Sequence, residues 1–145
     1  MPADDRFFVD TNLLLYCYDS AVPQKRDNAR VWLDRLWDSG QGRVSWQVLH
    51  EFSANAERRV RAAKQEARTV IESFALWDPV ENSLGLVRRC RERMDDAPGS
   101  YCDGLILAAA EQAGCAWLLS EDFQAGRKYG SVTVVNPFRQ SPKDF

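Results

Sequence analysis

Four carboxylates stand at places in this sequence where chemistry is commonly done: Asp10, Glu51, Asp103 and Asp122. Asp10 ends the apolar run Phe7-Phe8-Val9, and Asp122 follows Leu118-Leu119 within Ser120-Glu121-Asp122. Short apolar runs of this kind read as buried strands. Both acids therefore fall just past a strand's carboxyl end, where open α/β sheets build their sites. Glu51 lies one turn after Val48 and beside Phe52, and Asp103 lies one turn before Ile106 and Leu107. Each of these two sits at the edge of an apolar helical stripe, where a half-buried carboxylate needs a partner.

Taken singly, every one of the four has a plain structural reading. Asp10 and Asp122 are cap or turn residues, Asp103 completes a capping box with Ser100, and Glu51 reaches water from an amphipathic edge. Taken together they mean something else. If the strands are neighbours, the four acids converge at the sheet's carboxyl edge, and they repel one another unless they are neutralised. An all-oxygen set of this kind suits Mg²⁺ or Mn²⁺. Such an ion activates water and offsets charge on a phosphodiester, so the implied chemistry is metal-assisted phosphodiester hydrolysis.

The elements that must position these acids alternate along the chain. Thr11 and Asn12 are good N-cap residues, so a helix is predicted directly after the first strand. Pro23 opens a helix with Ala29, Trp32, Leu33, Leu36 and Trp37 on one face, ending near Gly40. Arg43 to Trp46 is a candidate second strand, and Trp46 to about Arg61 a helix carrying Val48, Leu49, Phe52, Ala56 and Val60. Ala67, Val70, Ile71, Phe74 and Ala75 mark another helix, stopped by Pro79, with a possible short third strand at Asp78 to Val80. Leu86, Val87, Cys90 and Met94 make the next stripe, before the loop Asp95 to Gly99. Ser100 then caps a helix with Cys102, Leu105, Ile106, Ala109, Ala110 and Ala113 on one side and Gly114 at its end. Ala116 to Leu119 and Ser131 to Val135 read as the last two strands. Strands alternating with helices predict an α/β fold with a parallel sheet covered on both faces.

The 145 residues, 45% hydrophobic with five Trp, suit one globular domain spanning 1–145. No apolar stretch approaches the roughly 20 residues of a membrane helix. Asp4, Asp5 and Arg6 precede the first apolar run, unlike a signal peptide, so a cytoplasmic protein is expected. The single histidine, His50, excludes a multi-histidine metal site and falls on a mostly polar helix face. Cys17, Cys90, Cys102 and Cys115 are scattered, which favours buried free thiols over disulfides or zinc ligands. A net charge of −2 gives no global sign of a nucleic-acid binder, although clustered site acids would offset basic residues elsewhere.

Four segments occur in the order and spacing of a known family: Val9-Asp10-Thr11-Asn12, Gln47-Val48-Leu49-His50-Glu51-Phe52, Ser100-Tyr101-Cys102-Asp103-Gly104-Leu105-Ile106, and Leu119-Ser120-Glu121-Asp122-Phe123-Gln124-Ala125-Gly126. With the tail Val134-Val135-Asn136-Pro137-Phe138, the chain resembles PIN-domain ribonucleases of the VapC type, the toxins of type II toxin–antitoxin systems. The resemblance implies a PIN-like three-layer α/β/α sandwich with a central parallel sheet ordered 3-2-1-4-5. It implies a Mg²⁺- or Mn²⁺-dependent endoribonuclease inhibited by a cognate VapB-like antitoxin, and a homodimer. Asp10, Glu51, Asp103 and Asp122 would hold the metal, with Asn12 and Ser120 as supporting polar groups. Gly104 stands where the family more often carries alanine, so local loosening of that helix is expected.

RNA also needs positive surface. Arg58, Arg59, Arg61, Lys64 and Arg68 bracket one helix junction, Arg88, Arg89, Arg91 and Arg93 form a second group, and Arg127 and Lys128 follow the last acid. Of these, Arg58, Arg59, Arg127 and Lys128 are the candidate RNA contacts. Any single one is more simply a solvated helix charge. The competing reading is a Mg²⁺-binding regulatory module resembling a receiver domain. It needs an acidic pair before the acceptor strand and a lysine after a late strand. Asp4-Asp5 supplies the pair, but no lysine closely follows Trp117-Leu118-Leu119, and Glu51 and Asp103 go unused.

Overall fold

Strand β1, Phe7–Val9, is the hinge of the architecture because it is fully buried and paired on both sides. The computed structural model describes residues 2–59, 63–96 and 99–145, without the side chains of 59, 63 and 64. In chain order the elements after β1 are α1 (Thr11–Tyr16), α2 (Pro23–Ser39), β2 (Gly42–Arg43), α3 (Trp46–Arg59), α4 (Ala63–Phe74), α5 (Leu84–Asp96), α6 (Tyr101–Gln112), β3 (Trp117–Leu119), β4 (Lys128–Tyr129) and β5 (Val132–Val135). The sheet runs β2-β1-β3-β5-β4, with β4 antiparallel to β5 and the other pairs parallel. Helices α1 to α4 pack on one another, as do α5 and α6, and the two groups layer against the sheet as an α/β/α sandwich.

Aromatic burial holds β1 in place. Phe7 packs against Trp32 of α2 and against Phe145, both with ring centroids 5.6 Å away. Each such buried side chain contributes about 1.5–3 kcal/mol. The register then does the work that matters for function: Val9 lies opposite Leu119, and Leu119 opposite Val135. Asp10 and Ser120 consequently leave two adjacent parallel strands side by side.

The expected strand order needs one adjustment at each edge. The segment Asp78 to Val80 is not a full strand; Val80 makes one parallel bridge to Ser45. Pro79 lacks an N–H for a ladder, and Asp78 has φ 51°, which breaks the extended run. At the other edge β4 was not anticipated; it folds back on β5 through Gly130 at φ 59°, as a tight hairpin requires.

Smaller differences have equally local causes. Asp10 itself is the N-cap of α1, with Thr11 and Asn12 inside the helix. Trp37 is partly exposed, resting on Phe74 and Trp77 where α2 meets α4. Cys102 is exposed and only Cys17, Cys90 and Cys115 are buried. Burial pushes the Cys17 and Cys115 thiols up to about 12, so neither is a nucleophile. Gly104 does not loosen α6, which is unbroken there. A Cβ at that position would lie 2.8 Å from both Cys90 Sγ and Met94 Cγ, so glycine is what lets α5 and α6 approach. Val60, Arg61, Ala97 and Pro98 lie outside the described residues, as do the side chains of Arg59 and Lys64.

Candidate active site

The site begins where β1 and β3 end. Asp10 is 6% exposed, and its two carboxylate oxygens accept from the Thr11 backbone N–H and the Ser120 hydroxyl, each at 2.7 Å. The same Ser120 hydroxyl accepts from the Asp122 backbone N–H at 3.1 Å, shaping the turn after β3. Burial pushes the Asp10 carboxyl up from the ordinary 3.8 to about 6. The hydrogen bonds from Ser120 and Thr11 oppose that rise, and the charges of Asp122 and Glu51 add to it.

Two further acids are tied into this centre by α1. The Thr11 hydroxyl donates to Glu51 Oε2 at 2.8 Å, and Gln47 Nε2 donates to Glu51 Oε1 at 3.0 Å from one turn earlier on α3. Asn12 Nδ2 donates to Asp122 Oδ2 at 2.6 Å. Asp122 is exposed at the rim; partial desolvation raises its pKa first, then the Glu121 charge, with Asp103 adding and Asn12 and Lys25 opposing. Three consecutive residues, the N-cap Asp10 and the first helical residues Thr11 and Asn12, thus contact Ser120, Glu51 and Asp122 respectively.

Asp103 enters from the other side. It completes the capping box of α6, its Oδ2 accepting from the Ser100 backbone N–H at 3.3 Å while its own N–H donates to Ser100 Oγ. It also faces Asp122 across a cleft of about 220 Å³, whose other wall includes Phe123, Gln124 and Tyr129. A separate cleft of about 840 Å³ lies at the opposite end of the sheet around Arg6, Arg43 and Trp77, and contains none of the four acids.

The donor set is entirely oxygen, and among the described residues none of Asp10, Glu51, Asp103 and Asp122 forms an ion pair. A buried carboxylate raised to about 6 with no internal cation fits a hard divalent ion. Asp10, Glu51 and Asp122 form one hydrogen-bonded group and Asp103 stands across the cleft. Among the described residues no three acidic, His or Cys side chains lie close enough together to hold a metal ion as they stand.

The candidate basic contacts are dispersed. Arg58 is exposed on α3 with its guanidinium 3.3 Å from Asn55. Arg127 stacks on the Tyr129 ring at 4.8 Å and donates to the Asp96 carbonyl, and Lys128 is exposed beside it. Arg89 and Arg93 are engaged with Glu111. His50 is exposed, as its polar helix face predicts. Sequence reasoning missed the roles of Thr11 and Gln47 in holding Glu51. Gln47 was legible as an i,i+4 neighbour on the same helix face; the Thr11 contact spans 40 residues and had no local signal.

Comparison with known proteins agrees with this geometry. A toxin–antitoxin complex from Klebsiella pneumoniae has a chain of similar fold, with a TM-score of 0.65 and 17% identity, covering 92% of this chain and 98% of that one. No curated protein matches the chain closely enough to count as a relative. The PIN domain profile matches residues 7–130, which takes in all four acids and every strand but the last, and the chain therefore belongs to the PIN domain family.

Proposed function

We propose that this protein is a Mg²⁺- or Mn²⁺-dependent endoribonuclease, and that Asp10, Glu51, Asp103 and Asp122 hold the metal. The observation that carries the reading is Asp10: a carboxylate buried at the head of β1, raised to about 6, hydrogen-bonded but without a cation. PIN domains are generally nucleases, which supports hydrolysis of a phosphodiester. A bound divalent ion would offset the acids' repulsion, activate water and balance charge on the phosphate.

The chain's own groups do the positioning. Ser120 and the Thr11 N–H orient Asp10, Thr11 and Gln47 orient Glu51, and Asn12 orients Asp122. Holding ligands by such outer contacts is what keeps a metal site in register. The Asp103 side of the cleft admits the RNA strand, with Arg58, Arg59, Arg127 and Lys128 as phosphate contacts.

The structural likeness to a chain of a toxin–antitoxin complex supports a toxin role in a VapBC-type pair. A VapB-like antitoxin would silence the site by placing a basic side chain among the acids. The same reading takes residues 1–145 as one domain, acting in the cytoplasm as a homodimer. A receiver-like module leaves Glu51 and Asp103 without a task. The test is cleavage of single-stranded RNA by antitoxin-free protein with and without Mn²⁺. Metal-dependent internal cuts that vanish in Asp10→Asn and Asp103→Asn are expected. Equal cleavage by those variants and the parent would overturn the assignment.

A further inference from the structure

Beside the acids stands a cation that the nuclease reading leaves unused. Lys25 Nζ lies 2.8 Å from Glu121 Oε2, one residue before Asp122 in the chain. The same Nζ is 3.4 Å from the Tyr16 hydroxyl, and it stands 4.8 Å over the Tyr16 ring and 5.0 Å over the Phe138 ring. Tyr16 in turn donates its hydroxyl to Glu121 Oε1 at 2.8 Å. Two rings, a hydroxyl and a carboxylate thus fix the ammonium in one place, although the side chain stays 36% exposed.

Helix stability does not explain that placement. Helix α2 opens with Pro23-Gln24-Lys25-Arg26 and has no acid in its first turn. Cations there oppose the helix dipole, whose amino end favours acids. An exposed ion pair alone stabilises too little to favour so elaborate a seat. Donor counting is more informative. An ammonium carries three N–H donors; Glu121 and Tyr16 occupy two, and the third is left for something outside the chain. Glu121 offsets part of the ammonium's charge, while the aromatic faces hold the lysine without using its third N–H, which stays open to an anion.

We infer that Lys25 is a phosphate-binding residue, holding a backbone phosphate of single-stranded RNA beside the bond that is cut. The inference rests on the nuclease reading above and gives the substrate strand a path over the α1–α2 edge of the site. It assigns Glu121 and Tyr16 as positioning residues that keep the ammonium beside the acids.

The test compares KM, kcat and the salt dependence of Mn²⁺-supported RNA cleavage in the parent, Lys25→Gln, Lys25→Arg and Glu121→Gln. Lys25→Gln is expected to raise KM several-fold with most of the change outside kcat. The slope of log KM against log salt should fall by about 0.7, the share of one single-strand phosphate. Lys25→Arg should restore most of that slope, and Glu121→Gln should retain it. A parental KM and slope in Lys25→Gln would overturn the inference alone, and melting temperatures lowered equally in Lys25→Gln and Glu121→Gln would then make the cluster a tie between α2 and the β3 turn. A parent protein that cuts no RNA with Mn²⁺ would remove the nuclease reading and this inference with it.

Discussion

Two acids in this protein are withdrawn from water in opposite company. Glu111, near the end of α6, is 17% exposed and stands 3.4 Å from Arg89 and 3.6 Å from Arg93 of α5. The chain has cleared space for that cluster, since a Cβ on Gly130 would lie 2.8 Å from both Arg93 and Glu111. Arg93 Nε and Glu111 Oε2 are paired by charge and make no hydrogen bond, so the contact is a clamp and not a finely oriented site. Asp10 is more deeply buried, finely oriented by two short hydrogen bonds, and among the described residues forms no ion pair. The fold neutralises the acid it uses for structure. In the proposed nuclease the other acid takes its counter-charge from a bound ion, a conflict that folds keep at functional sites.

Conservative amides should therefore act oppositely at the two places. Asp10→Asn is expected to cut RNA cleavage more than about 100-fold while stabilising the metal-free protein near pH 7. The sign follows from the proton balance. The folded carboxyl, at about 6, lies above its unfolded value of 3.8, so its contribution is full below about pH 4 and is lost as pH rises through 6. The loss is on the order of 2–3 kcal/mol, visible as a melting temperature of metal-free parent that falls from pH 4 to 7 more steeply than that of Asp10→Asn.

Glu111→Gln should destabilise by about 2 kcal/mol, because it leaves two arginines facing a neutral amide. Chemical denaturation measures that loss, and cleavage per folded molecule should survive it. If Glu111→Gln stabilises instead, the contrast between the two acids fails.

Ser120→Ala sharpens the contrast within the site. It removes a 2.7 Å hydrogen bond that favours the charged form of Asp10, so the acidic limb of the rate profile should move to higher pH and activity at pH 6 should fall about tenfold. Gly104→Ala probes the helix that bears both Asp103 and Glu111. Its Cβ must displace Cys90 and Met94, at a cost of about 1–2 kcal/mol in urea denaturation.

How far the sequence foretold this depends on whether a signal was local. The burial of Phe7-Phe8-Val9 and the Pro23 and Ser100 helix starts could be read directly, because a few adjacent residues determine them. Asp10 and Asp122 were legible as strand-end acids for the same reason. The Lys25 seat was not, since its partners come from α1, the β3 turn and the tail, up to 113 residues away (Phe138 from Lys25). Gly104 was misread because the demand for a glycine comes from Cys90 and Met94 on another helix. Asp78 to Val80 was over-read because one bridge satisfies its backbone, which no propensity reveals.

Calorimetric titration of Mn²⁺ into antitoxin-free protein at pH 7 and at pH 5.5 addresses the borrowed charge at Asp10 most directly. Saturable binding is expected at pH 7, weaker and accompanied by proton release at pH 5.5, and lost in Asp10→Asn. Mn²⁺ binding that is indifferent to Asp10→Asn, or RNA cleavage by a parent protein that binds no Mn²⁺, would contradict it.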